Sequence, residues 1–78
     1  METIHIVDAR GLEPPEPLER VMEALSRMKP GEKVQLLLFR EPYPLYGILE
    51  RNHYAHQATL RTDGTFEILI WEQIGGTV

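Results

Sequence analysis

The side chains of this sequence that could do chemistry lie in two short stretches. They are "DARGLEPPEP", from Asp8 to Pro17, and "HYAH", from His53 to His56. In the first, Glu13 and Glu16 stand three residues apart beside a helix start. Carboxylate pairs do acid–base work when their surroundings push their pKa values apart. Both are expected to be solvated, so that contrast is missing. In the second, His53 and His56 could hold one metal ion if the segment were helical. It follows Asn52 and leads into a strand, where a separation of three sends side chains to opposite faces. These two are the metal candidates, and the expectation is that no metal or other cofactor is bound. His53 is instead expected at the C-terminal end of a helix, where a protonated imidazole is favourable. Ser26 falls on a solvated helix face without a neighbouring His and acid. The chain has no cysteine, which removes thiol nucleophiles, thiolate zinc sites and disulfides together. The expectation is a protein that is not an enzyme.

The elements that position these residues follow from periodicity. Thr3 to Val7 alternates, with Ile4 and Ile6 on one side and His5 and Val7 on the other, as a first strand does. After the loop Asp8 to Pro15, Pro17 suits a helix's first turn, where its missing N–H costs nothing. Leu18, Val21, Met22, Leu25 and Met28 recur at helical spacing. Glu16–Arg20 and Glu23–Arg27 are i,i+4 pairs in the favourable order. Pro30-Gly31 stops the helix. "KVQLLLF", Lys33 to Phe39, is a nearly unbroken apolar run of strand length and reads as a central strand. Pro44 can open a second helix with the stripe Leu45, Ile48 and Leu49, ended by Asn52 in a left-handed turn. His56 to Thr62 and Thr65 to Glu72 flank Asp63-Gly64, a tight hairpin signal. The tail Gly75 to Val78 reads as frayed, and Gly75-Gly76 is no phosphate loop, since no helix follows it.

The order β-α-β-α-β-β predicts an α+β fold. It is a two-layer α/β sandwich, with a four-stranded mixed sheet and two helices on one face. That leaves one sheet face uncovered, with Val7, Leu69, Trp71 and Leu37 placed on it as a contact surface for a partner or a second copy. Phe39, Tyr43, Tyr46, Tyr54 and Trp71 are otherwise read as core filling and core edge.

Seventy-eight residues make one domain, 1–78, with a thin core. An apolar fraction of 42% fits a folded globular chain. The net charge of −4, with no basic cluster, argues against nucleic acid, which demands a cationic footprint. No apolar run reaches membrane-spanning length, and no signal peptide is seen. A cytoplasmic location without membrane attachment is expected.

Arg10, Gly11, Leu12, Pro15 and Pro17 resemble the motif of TusA/SirA-like sulfur carriers, a strand followed by Arg-Gly-Leu and Cys-Pro-x-Pro. The element order and length agree. Pro14 occupies the place of that family's persulfide-forming cysteine, and neither Glu13 nor Glu16 can form a persulfide. The chain more closely resembles a cysteine-free domain family of unknown function in the same superfamily, through "DARGLEPPEP" and "REPYPLY". Members of that family also occur beside hemerythrin-like iron domains, which implies a redox or nitric-oxide-related setting. A translation initiation factor's C-terminal domain shares a similar layout, but the acidic balance argues against RNA.

The expectation is therefore a non-catalytic interaction domain that binds an unidentified protein partner or forms a homodimer. Its contact residues would be Arg10, Glu13, Pro14 and Glu16 in the loop and Val7, Leu69 and Trp71 on the open sheet face. The alternatives are an accessory of sulfur or redox metabolism that holds a thiol carrier or small ligand non-covalently, and a histidine metal-binding protein.

Overall fold

A computed structural model describes residues 3–73. The readings made for Gly75 to Val78 lie outside them. The elements are β1 (Ile4–Asp8), α1 (Glu16–Arg27), β2 (Lys33–Leu38), α2 (Tyr43–Arg51), β3 (Tyr54–Leu60) and β4 (Phe66–Glu72). The sheet order is β1-β2-β4-β3. β1 runs parallel to β2, while β4 is antiparallel to both β2 and β3. The result is the expected two-layer α+β sandwich with a mixed sheet.

The core forms where the helices close over one sheet face. Val34, Leu36, Ile68 and Ile70 come from the central strands, Val21 and Leu25 from α1, and Leu45 and Leu49 from α2. The β2 run is apolar because it is central, and four of its six residues are buried. The cross-strand register assigns the faces. Val7, Leu36 and Ile68 fall in one row, and His5, Val34, Ile70 and His56 in another, all beneath the helices. The opposite face carries the rows Ile4–Lys33–Trp71–Ala55, Ile6–Gln35–Leu69–Gln57 and Asp8–Leu37–Glu67–Thr59.

This placement corrects the reading of Val7, which packs against the core beneath the helices. The alternation along β1 is as expected, but the side is inverted. Ile4 and Ile6 face away from the helices. Leu69 and Trp71 do lie on the open face, where the Lys33 ammonium sits 5.7 Å from the Trp71 ring centre.

The helix ends follow local chemistry. α1 begins after Pro15 with no side-chain cap, with Pro17 in its first turn. Both expected ion pairs form, Arg20–Glu16 at 3.0 Å and Arg27–Glu23 at 3.1 Å. α2 begins one residue before Pro44 and ends with a correction. Asn52 has φ −102°, and the left-handed residue is His53, at φ 64°. Asn52 continues the helix by donating its own N–H, and its side-chain amide, to the Ile48 carbonyl.

The hairpin is also longer than expected, running from Leu60 to Phe66. Only Gly64 has positive φ there, at 89°. Asp63 instead accepts the Thr65 N–H at 2.9 Å through its carboxylate. That bond is the first reason its carboxyl sits below the usual range. Closure comes from Arg61 N–H to the Thr65 carbonyl at 2.8 Å.

Candidate functional site

The C-terminal ends of β1 and β2, the hairpin and the starts of both helices share one end of the sheet. The loop "DARGLEPPEP" is built there from its own side chains. Arg10 donates from Nε to Asp8 Oδ1 at 2.9 Å, from Nη2 to Oδ2 at 2.8 Å, and from its backbone N–H to Oδ1 at 3.2 Å. The Arg10 hydrogen bonds hold the Asp8 carboxyl down at about 2. Gly11 then turns the chain at φ 83°, where other residues are strained. Leu12 donates back to the Ala9 carbonyl and packs against the core. Pro14-Pro15 is a cis peptide, and Glu16 N–H bonds the Glu13 carbonyl at 3.0 Å.

Of the residues expected to form the loop site, Glu13 and Pro14 are exposed, and Glu16 and Arg10 half-exposed. Glu13, Pro14 and Glu16 line one open depression with Glu19, Arg20 and Glu23. Arg10 is turned inward to Asp8 and is not part of that lining. Glu16 accepts from Arg20 of its own helix at 3.0 Å.

The sheet end also exposes large apolar side chains, among them Phe39 and Tyr43, which the sequence placed in the core or at its edge. Phe39 is 59% exposed, Tyr43 69% and Leu60 61%. The signal for Tyr43 was present in Pro42 and Pro44, which hold it at a helix start. The sequence puts Phe39 inside the strand, and only the pairing shows that it stands just beyond the last paired residue of β2.

Tyr46 lies inward. Its ring stacks on His56 with centroids 4.2 Å apart and planes 6° off parallel. The Tyr46 hydroxyl donates to Glu41 Oε2 at 2.9 Å. Burial first, and the Glu41 carboxylate second, push the phenol's pKa well above its usual value. Tyr43 meets Tyr46 edge-on, with centroids 6.0 Å apart. Tyr46 thus sits between a stacked imidazole and an edge-on phenol ring.

The histidines do not converge. His56 lies on β3 beneath the helices, and His53 is exposed at the bend before it. His5 occupies the same row as His56 but at the opposite sheet edge, three strand spacings away, or roughly 14 Å. His5 Nε2 bonds Glu32 Oε1 at 2.7 Å. Among the described residues, no group of three His, Cys, Asp or Glu side chains could hold a metal ion. Among those residues, no helix is long and apolar enough to cross a membrane.

A mixed four-stranded sheet, two helices on one face and a proline-stiffened loop leading into α1 define a SirA-like domain. The crystal structure of the SirA-like protein from Desulfitobacterium hafniense matches with a TM-score of 0.76 and 25% identity, over 90% of this chain and 95% of that one. The family described as "Uncharacterized conserved protein (DUF2249)" matches residues 6–72, and the chain belongs to that family. No curated protein matches it.

Proposed function

We propose that this protein is a non-catalytic interaction domain that uses the SirA-like scaffold to present a docking surface to another protein. The observation that carries this reading is the exposure of Phe39, Tyr43 and Leu60 at the sheet end that also carries the acidic start of α1. Large apolar side chains gathered at one end of a small domain, rimmed by charge, are a mark of protein contacts. The rim is acidic. Glu13, Glu16, Glu19 and Glu23 stand with the single base Arg20 along the α1 depression, on a chain of net charge −4. The partner that fits is therefore a protein with an apolar contact centre and basic side chains around it.

The chemistry points the same way. A persulfide relay needs a thiolate, and the chain has no cysteine. Pro14, at the position that resembles the carriers' cysteine, offers neither a nucleophile nor an N–H.

Two measurements test the reading. Intact mass after incubation with polysulfide should show no added sulfur; an adduct traced to residues 8–17 overturns the non-catalytic part. A protein captured by the wild type, once purified, should bind saturably. The Phe39→Ser/Tyr43→Ser variant should lose that binding. Glu13→Gln/Glu16→Gln should weaken it and flatten its salt dependence. Binding unchanged in both variants removes the proposed surface.

A further inference from the structure

We infer that two copies of this chain pair antiparallel through β1, merging their sheets about a two-fold axis at Ile6. This goes beyond the docking surface proposed above and uses a different part of the molecule. β1 is an edge strand. Lys33 N–H bonds the Thr3 carbonyl at 3.1 Å, and Ala9 N–H bonds the Leu37 carbonyl at 2.9 Å. In a parallel ladder this commits the odd-numbered residues to β2, so Ile4, Ile6 and Asp8 aim their N–H and C=O groups at the free edge. An edge of this kind is a template for another strand.

Self-pairing fits the register. With Ile6 opposite Ile6 of the second copy, Ile4 faces Asp8 in both directions. Every outward N–H and C=O of β1 then finds a partner, for about six hydrogen bonds. A shift by one residue sends Ile6 to the helix side and breaks the face. A shift by two leaves outward groups unpaired.

The side chains agree. Ile6 is 66% exposed and Ile4 43%, and both lie at the sheet edge away from the helices. Pairing covers Ile6 with its own copy. Asp8, placed beside Ile4, brings no bare charge, because Arg10 already holds it at both oxygens. The β1 segment contains no proline, lysine or bulge, and its one carboxylate, Asp8, is already held by Arg10. At the other edge, the open-face side chains of β3 are Ala55, Gln57 and Thr59, which offer little apolar surface.

The helix side leaves room. A cleft runs between β1 and the flank of α1, with His5, Val7 and Ala24 in it and Arg20, Glu23 and Arg27 at its rim. The second copy's His5 and Val7 enter it. The rim guanidiniums are each held by a glutamate of their own helix, so like charges do not meet bare.

The test is sedimentation equilibrium on the full chain over a wide concentration range, with amide hydrogen exchange. The expected result is a two-chain mass at high concentration and slowed exchange at Ile4, Ile6 and Asp8. Ile6→Lys should halve the mass and free those amides without changing circular dichroism. Ile4→Lys, at a second exposed position, should do the same, which guards against a folding defect at Ile6. A single-chain mass at every concentration overturns the proposal. So does a dimer that survives both substitutions. A dimer without partner capture, or capture by a monomer, separates this inference from the docking surface.

Discussion

The Arg10 guanidinium grips the Asp8 carboxylate two residues before it through two parallel bonds, Nε to Oδ1 and Nη2 to Oδ2, at 2.9 and 2.8 Å. The fork-on-fork geometry fixes the first bend of the loop. It also sets a pH dependence. The folded pKa of Asp8, at about 2, lies below the ordinary 3.8. A depressed carboxyl contributes stability that is present above its unfolded pKa and lost as pH falls through its folded value. The loss belongs to the window from roughly pH 4 down to about 2. Carbon-detected NMR titration should place the Asp8 midpoint near the lower figure, and Arg10→Ala should return it toward 3.8.

The half-buried phenol of Tyr46 works in the opposite sense. Tyr46 is raised by burial and by the Glu41 carboxylate, so the folded state favours its neutral form. Its contribution is complete below the ordinary tyrosine value of about 10 and is lost as pH climbs toward the raised one. In an ultraviolet titration, Tyr46→Phe should delete the last phenolate transition to appear. Loss of an earlier transition instead would contradict the placement of Tyr46.

Leu49 is fully buried where α2 meets the sheet. Leu49→Ala removes packed methyl groups from a thin core. It should cost about 2–5 kcal/mol in urea unfolding. A cost below 1 kcal/mol would mean that the α2 contact is not formed as described.

Two glycines should respond in opposite directions. Gly64 sits at φ +89° with open space around it, so Gly64→Ala meets only backbone strain and should destabilise by about 1 kcal/mol. Gly47 lies inside α2, where an added Cβ meets only the flexible Arg51 guanidinium, at 3.4 Å. Gly47→Ala should therefore stabilise by about 0.5–1 kcal/mol. Paired thermal melts check both signs.

What was legible in the sequence was whatever depends on neighbours along the chain. The helical spacing of Val21 and Leu25, the apolar run of β2, the ion pairs of α1 and the turn around Gly64 all express local geometry, and each has its counterpart in the fold. The Asp8–Arg10 contact is of the same local kind, since it joins two residues of one turn.

Tertiary structure alone decided which side of β1 is buried. A period of two shows that Ile4 pairs with Ile6 and His5 with Val7, but both sets contain apolar residues. The helix layer covers Val7 and leaves Ile4 and Ile6 in solvent, and nothing in β1 announces that choice. The fates of Tyr46 and Phe39 were undecided in the same way. Tyr46 meets His56, ten residues away, only because α2 folds back over β3, while Phe39 and Tyr43 project from the sheet end. Periodicity establishes which side chains share a face. Only packing against distant segments establishes which face meets water.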